Sequence, residues 1–310
     1  MIRFFEESGA LVVRLRNETL RIEGWGRNAL RVRATLLKKM PEQAHALTEK
    51  AEHSAKVAVN NSAECAEIVN GKLKATVNNV GVICFYKDDK LILQEYYSFY
   101  YGSIRKGPIC YKIRSREYKG LASEDFKITL RFESDPDEKL FGMGQYQMPI
   151  LNLKGTVLPL EQRNSQVSVP FLVSSKGYGM LWNNPATGEA AFGTNITKWT
   201  ADESDMIDYW ITAEDTPADL VRNYTECVGR APVMSPDYLG LWQCKLRYRT
   251  PDEVLEVARK YKELGIKLDV IVIDFFHWPY QGDWRFDEKY WSRDAVKAMT
   301  DELHGMGTKV

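Results

Sequence analysis

The pattern of apolar and polar positions changes near residue 235. Before it, apolar and polar residues alternate in segments such as ALRVRATL from Ala29 and FKITLRF from Phe126, a pattern typical of half-buried strands. Asn70-Gly71 and Asp88-Asp89 separate such segments and are residues favoured in hairpin turns. Helical periodicity is scarce, so the sequence predicts a β-sandwich of mainly antiparallel sheets over residues 1–235.

After residue 235 the pattern predicts alternating strands and helices. LGLWQCKL from Leu239 and VIVI from Val270 are short apolar runs of the kind that form buried parallel strands. Between them, Thr250 and the proline and glutamate that follow it have the spacing of a helix start. Apolar residues then recur every three or four positions until Gly265, which is a typical helix stop.

The same alternation continues to the last residue of the sequence. Ser292 or Asp294 is predicted to cap a second helix, and residues 308–310 would open a third strand. A (β/α)8 barrel has this alternation and needs about 250 residues. Residues 236–310 therefore predict the first strands and helices of such a barrel, cut off before completion. On this interpretation the residues that complete an active site lie beyond Val310, and the chain is expected to be a fragment.

Asp274 is the principal candidate for a functional residue. It follows the apolar run from Val270, at the carboxyl end of a predicted parallel strand, where ligands bind in folds of this kind. Aromatic residues come after it, namely Phe275, Phe276, Trp278 and Trp284. Carboxylates accept hydrogen bonds from sugar hydroxyls and rings stack on sugar C–H faces, so the segment predicts carbohydrate binding. An aspartate that caps a turn beside core aromatics is the alternative.

Residues around this strand end are weaker candidates. Arg247 and Tyr248 end the first predicted strand and are expected to border the pocket, although a surface ion pair would explain Arg247 equally well. Trp278 and Trp284 serve either as a sugar platform or as loop packing. The histidines have no ligand spacing with other potential metal ligands, so neither a metal nor a cofactor is predicted.

Two other motifs are interpreted as structural. Gly142 and Gly144 in FGMGQY lack the Lys-Ser/Thr pair that completes a phosphate-binding loop, and we predict that they are turn glycines. An acidic cluster that ends at Asp208 is predicted to solvate an exposed loop before the next strand.

Composition narrows the class of protein. The 42 basic and 42 acidic residues cancel, so neither nucleic acid nor an anionic membrane is expected as a partner. No apolar run approaches the roughly 20 residues that span a bilayer, and the amino terminus has no apolar signal region. An odd number of scattered cysteines favours reduced thiols and a cytoplasmic location, with homo-oligomerisation left open. The cysteines are Cys65, Cys84, Cys110, Cys227 and Cys244.

Four segments together resemble glycoside hydrolase family 31 and occur in that family's order. They are FGMGQY (141–146), NSQVSVPFLVSSKGYGMLWNNP (164–185), DYWITAEDTPADLVRNYTECVGRAPVMSPDYLGLWQCKLRY (208–248) and IDFFHW (273–278). The resemblance implies a β-sandwich of the galactose-mutarotase type that leads into a (β/α)8 barrel. It also implies retaining hydrolysis of α-glycosides, with an oligosaccharide or α-xyloside as the substrate.

The resemblance also says which catalytic groups to expect. Retaining hydrolysis needs two carboxyls about 5 to 5.5 Å apart, one as nucleophile and one as acid and base. In this family both are aspartates, on the fourth and sixth barrel strands, and neither strand falls within these 310 residues. No residue of this sequence is therefore assigned a catalytic role, and the 310-residue chain itself is expected to be inactive.

The residues after the second barrel strand indicate the sugar. In the glucosidase branch this strand ends in a pattern resembling Asp-Ile-Asp-Tyr, whose second aspartate binds hexose hydroxyls. Here Asp274 matches the first aspartate, which by resemblance accepts from the C4 hydroxyl, but Phe276 replaces the second. The α-xylosidases of the family carry phenylalanine there, and xylose lacks the hydroxymethyl arm, so an α-xyloside is the leading substrate. An α-glucosidase of the same family and a non-catalytic carbohydrate-binding fragment are the alternatives.

Overall fold

A computed structural model describes residues 2–48, 53–61, 65–97, 113–122 and 124–310. The strands, in chain order, are β1 (Ile2–Glu7), β2 (Ala10–Leu15), β3 (Glu18–Gly24), β4 (Ala29–Thr35), β5 (Lys56–Asn60), β6 (Cys65–Asn70), β7 (Leu73–Val77), β8 (Ile83–Lys87), β9 (Lys90–Gln94), β10 (Arg116–Gly120), β11 (Phe126–Glu133), β12 (Leu140–Gln145), β13 (Val157–Leu160), β14 (Val167–Ser174), β15 (Tyr178–Trp182), β16 (Gly188–Phe192), β17 (Ile196–Ser204), β18 (Ile207–Ala213), β19 (Trp242–Lys245) and β20 (Val270–Ile273). The helices are α1 (Pro217–Val228), α2 (Pro251–Glu263) and α3 (Arg293–Gly305), with a short 3₁₀ helix at Pro236–Leu239.

Contacts between residues divide the chain into two compact units, Met1–Arg230 and Ala231–Val310. The sequence prediction placed the boundary between residues 235 and 236, directly before the 3₁₀ helix. No helix in the described residues is both long and apolar enough to cross a membrane.

The first unit is built from three antiparallel sheets. An eight-stranded sheet runs in the order β1-β2-β3-β4-β18-β15-β14-β12, and two five-stranded sheets run β10-β11-β17-β16-β13 and β5-β6-β7-β8-β9. Two aromatic contacts of Tyr209 join all three sheets: its ring lies edge-on to Phe85 at 6.2 Å and to Phe132 at 5.8 Å between centroids. Apolar residues of all three sheets form one continuous core, which confirms the predicted sandwich.

Strand β4 departs from the prediction of half-burial, because all seven of its residues are buried. Its second face carries Arg31 and Arg33, which pair with Asp208 of β18 and Glu23 of β3. The prediction that Asp208 belongs to an exposed acidic loop is therefore wrong: the residue lies inside a central strand and is fully buried. Paired charges explain how this face of the sheet is closed to water.

The two predicted hairpin turns are confirmed, and one glycine prediction is not. Asn70-Gly71 begins the turn between β6 and β7, and Asp88-Asp89 joins β8 to β9 with both residues at positive φ. Gly142 and Gly144 lie inside β12 at an irregularity of its pairing with β14, not in a turn. A Cβ on Gly144 would stand 2.2 Å from the carbonyl oxygen of Val167, so close strand approach requires glycine there.

The second unit has the predicted order of strand, helix, strand and helix. β19 and β20 are parallel, with Trp242 opposite Val270, and α2 connects them. Thr250 caps α2, and Ser292, the first of the two predicted candidates, caps α3. The predicted third strand appears as a parallel bridge between Val270 and Lys309. These elements match the beginning of a (β/α)8 barrel.

Candidate functional site

The candidate site lies where β19 and β20 end side by side. Because the two strands are parallel, their carboxyl ends meet at one edge of the sheet. The backbone amide of Phe275 donates to the carbonyl of Leu246 at 3.4 Å, which continues the pairing just past the strand ends. Arg247 and Asp274 are thereby brought to the same edge, as the sequence predicted for the ends of adjacent strands.

Asp274 presents a carboxylate that is partly exposed at this edge. Its closest described side-chain partner is Cys244 of β19, whose Sγ lies 4.0 Å from Asp274 Oδ2. No lysine or arginine among the described residues forms an ion pair with Asp274. The carboxylate therefore keeps most of its acceptor capacity for a ligand.

Three rings form a connected cluster directly after the carboxylate. Phe275 lies 5.4 Å from Phe276 and 5.6 Å from Trp278 between ring centroids. Phe276 has a φ of 71°, a left-handed conformation that is rare for a bulky side chain, and 48% of its surface is exposed. Strained backbone of this kind is concentrated at functional sites, so the position of this ring is a specific feature of the site.

Arg247 reaches the same cluster from the loop that follows β19. Its guanidinium carbon lies 4.2 Å from the centroid of the Phe276 ring, within the range of a cation–π contact. The surface ion pair considered as the alternative for Arg247 is not found among the described residues. Arg247 supplies donors and Asp274 an acceptor at the same edge of the sheet, and a polyhydroxylated ligand needs both.

His277 lies near the start of the loop that follows β20 and bonds to a later part of the same loop. Its ring lies 4.4 Å from Trp278 and 6.5 Å from the buried Trp291, and its carbonyl accepts from the amide of Asp287 at 2.8 Å. Burial lowers the pKa of His277, which favours the neutral imidazole, and the backbone carbonyl of Asp274 opposes this shift. Within the described ranges, no group of three or more His, Cys, Asp or Glu side chains is arranged to hold a metal ion.

Two of the predicted pocket residues lie apart from this cluster. Trp284 is 98% exposed and makes no ring contact with another described side chain. Tyr248 is fully buried in the core that α2 and α3 form, so the prediction that it borders the pocket is wrong. Arg247 and Tyr248 follow the end of β19, and of the two only Arg247 contacts Phe276.

Cys244 is the site residue that sequence reasoning did not identify as such. From the sequence, Cys244 was predicted only to be one of several reduced thiols. In the parallel pairing of β19 with β20, Cys244 lies opposite Val272. A prediction of that register would have placed Cys244 beside the end of β20. The four cysteines in the described residues are unpaired, whereas Cys110 lies outside them.

The site as a whole offers the kinds of groups that a sugar requires, and we find no pair of carboxylates for glycosidic chemistry among its described residues. Asp274 is an acceptor, Arg247 is a donor, and Phe275, Phe276 and Trp278 provide apolar faces. Among the other loop carboxylates, Asp283 is held by Arg285, which lowers the pKa of Asp283.

Comparisons with known proteins agree with this architecture. Residues 12–190 match the glycosyl hydrolase 31 N-terminal galactose mutarotase-like domain, and residues 231–310 match the glycosyl hydrolases family 31 TIM-barrel domain. A curated relative, the uncharacterized family 31 glucosidase ORF2 of Pseudescherichia vulneris, is 43% identical over 320 residues, which cover 100% of this chain and 60% of the relative.

Alpha-xylosidases are also among the similar proteins. Alpha-xylosidase A of Aspergillus niger is 38% identical over 186 residues, which cover 58% of this chain and 25% of that protein. The crystal structure of a GH31 alpha-xylosidase from a soil metagenome, complexed with xylose, superposes with a TM-score of 0.85 at 46% identity. It covers 99% of this chain and 46% of the solved chain, so this chain spans less than half of that xylosidase.

Proposed function

Since the chain belongs to glycoside hydrolase family 31, we propose that it serves a retaining α-glycosidase that prefers α-xylosides and binds their non-reducing sugar at the end of β20. The observation that carries the substrate preference is the ring of Phe276, two residues after Asp274. The family resemblance gives the glucosidase branch a carboxylate at this position, where it binds hexose hydroxyls. A ring there removes the acceptor and fills the space of the hydroxymethyl arm.

The ring of Phe276 favours xylose over glucose on energetic grounds. A hexose that reached this site would leave a hydroxyl desolvated without a partner, at a cost of about 1 to 3 kcal/mol. Xylose has no such hydroxyl and retains the C4 hydroxyl for Asp274. Relatives named as alpha-xylosidases, including the xylose-bound enzyme at 46% identity, support this reading.

An α-glucosidase of the same family is the second candidate, and one specific observation favours it. The relative that aligns with the whole of this chain is named a glucosidase, at 43% identity. A glucosidase would have to accommodate the hydroxymethyl arm by a route that avoids Phe276. Because 48% of Phe276 is exposed, its ring has open space on one side. A hydroxymethyl arm would fit beside it only if the ring rotates out of the position that it has here.

Hydrolysis itself is proposed to need groups outside the 310 residues. The family resemblance assigns nucleophile and acid to the fourth and sixth barrel strands, and the described part of the second unit contains β19, β20 and a bridge at Lys309. Loss of a catalytic group reduces rate by several orders of magnitude, so this chain alone should not turn over.

Hydrolysis of paired substrates tests the proposal. Initial rates on 4-nitrophenyl α-xyloside and α-glucoside would be measured for this chain and for a version extended through the later barrel strands. We expect no rate above background for the chain, and a higher kcat/KM on the xyloside for the extended protein. Turnover by the 310 residues, or a preference for the glucoside, would overturn the proposal.

A further inference from the structure

We propose that Arg247 is a positioning residue that fixes the ring of Phe276 and thereby sets how strictly the site excludes larger sugars. This inference rests on the proposed function for its consequence in specificity, but the contact between the two side chains stands on geometry alone. The guanidinium carbon lies 4.2 Å from the ring centroid, close to the face of the ring.

The backbone explains why the ring needs a second support. Phe276 is at a φ of 71°, in a left-handed conformation that phenylalanine seldom adopts, and nearly half of its surface is open to solvent. A partly exposed ring on strained backbone has few neighbours to hold it. The contacts described for it are Phe275, at 5.4 Å between centroids, and Arg247.

Arg247 has no other described task. It is exposed, and no carboxylate among the described residues pairs with it. The hydrogen bond from the Phe275 amide to the Leu246 carbonyl holds the two chain segments together, directly before Arg247 on one side and Phe276 on the other. A guanidinium that stacks on its face still presents N–H donors along its edge.

The size of the expected effect follows from the exposure of the pair. A cation–π contact at an exposed site changes an equilibrium about two- to fivefold. If the ring is released, the hydroxymethyl arm of a hexose gains space, and the preference for xyloside over glucoside should fall by about the same two- to fivefold factor. The change should appear in KM for the glucoside, because the ring contacts the sugar and not the reacting atoms.

Fluorine NMR on the 310-residue chain tests the contact without any need for activity. 4-Fluorophenylalanine is placed at position 276, and its signal is compared between the wild-type background and Arg247→Met, Arg247→Lys and Arg249→Met. Arg249 is the matched control because it is an exposed arginine two residues further along the same loop. We expect a clear shift with Arg247→Met, a smaller one with Arg247→Lys, which keeps the charge but not the planar group, and none with Arg249→Met.

An unmoved signal in Arg247→Met, or an equal shift in Arg249→Met, would overturn the proposed contact. Because Arg247 is exposed, its variants should fold, and the lysine variant provides a second test if the methionine variant does not. The extended protein then tests the consequence: Arg247→Met should lower the ratio of xyloside to glucoside kcat/KM, and Arg249→Met should not. An unchanged ratio beside a shifted fluorine signal would overturn the role in specificity. A wild-type preference for glucosides, by contrast, would overturn the proposed function and leave the fluorine result intact.

Discussion

Arg31 and Asp208 form a bidentate ion pair that is sealed from water. Arg31 donates from Nε and Nη2 to the two carboxylate oxygens of Asp208 at 3.1 and 2.7 Å, and the side chains are 2% and 0% exposed. Asn183 adds a third hydrogen bond to Asp208 at 2.7 Å, and the indole of Trp25 lies 4.9 Å from the guanidinium. With both charges paired and hydrogen-bonded, removal of either one leaves the other uncompensated.

We therefore expect Asp208→Asn to lower the free energy of unfolding of the first unit by about 3 to 5 kcal/mol. The measurement is urea unfolding followed by tryptophan fluorescence. Asp202→Asn is the control, because Asp202 pairs with Lys127 at the surface, where such pairs contribute at most about 1 kcal/mol. Similar losses in the two variants would contradict the importance assigned to burial.

The lowered pKa of Asp215 predicts that the stability of the first unit depends on pH. Hydrogen bonds from Lys72 and Lys87 lower the pKa of Asp215 from 3.8 to about 2. A carboxyl whose folded pKa is depressed adds stability above its unfolded pKa and loses it as pH falls through the folded pKa. Wild type should therefore exceed Asp215→Asn in stability above pH 4, and the difference should vanish between about pH 4 and 2.

Thermal unfolding of both proteins from pH 2 to pH 7 measures this difference. Glu203→Gln is a suitable control, since Glu203 is an exposed carboxylate without an ion pair to a described residue. A difference between wild type and Asp215→Asn that stays constant down to pH 2 would show that the carboxylate charge is not its source.

Gly144→Ala should destabilise the first unit more than Gly155→Ala. Both glycines have similar positive φ, 92° and 87°, so both substitutions introduce left-handed strain of about 1 to 3 kcal/mol. Only at Gly144 does the new Cβ meet the backbone, 2.2 Å from the Val167 carbonyl oxygen, whereas Gly155 has open space. The difference between the urea midpoints of the two variants measures the destabilisation caused by the close approach of β12 and β14. Equal midpoints would mean that the two strands separate without cost.

Exchange of Phe275 and Phe276 for isoleucine and aspartate should move the extended protein toward glucosides. The double variant Phe275→Ile, Phe276→Asp restores an acceptor and opens space for the hydroxymethyl arm. We expect the ratio of kcat/KM values to change by about 1 to 3 kcal/mol, or roughly tenfold to two-hundredfold. Phe275→Ile alone is the control, since it leaves the ring at position 276 in place.

Asp274→Ala should weaken xyloside and glucoside alike, because both sugars carry the C4 hydroxyl that Asp274 is proposed to bind. The measurement is kcat/KM on both aryl glycosides in the extended protein. Loss of one substrate with retention of the other would show that Asp274 recognises a group that the two sugars do not share.

Local signals predicted the second unit well. Thr250 and Ser292 cap their helices as expected, since a cap depends on residues within one turn. Burial of Asp208 was not predictable in this way, because its partner Arg31 is 177 residues away in sequence. The pattern of charges alone led to the prediction of an exposed loop at Asp208.

The site was predicted to the level of the strand end and no further. The sequence placed Asp274 at the carboxyl end of a buried parallel strand, the edge at which barrels of this kind bind ligands, and the structure places it there. The left-handed φ of Phe276 and the stacking of Arg247 depend on how two loops meet, and no local preference of arginine or phenylalanine encodes that meeting. The burial of Tyr248 and the exposure of Arg247 could not be predicted without knowing that β19 ends at Lys245, before both residues.

The position of β18 between β4 and β15 has a consequence for synthesis on the ribosome. β1 to β4 are made first, yet the inner edge of β4 is filled only by β18, whose Asp208 is 177 residues behind Arg31. At about 5 to 20 residues per second, that edge waits roughly 10 to 35 s for its partner. During that interval the nascent chain carries an unpaired strand edge and an unmatched arginine, so β4 is the segment where a chaperone or a misplaced strand would compete with β18.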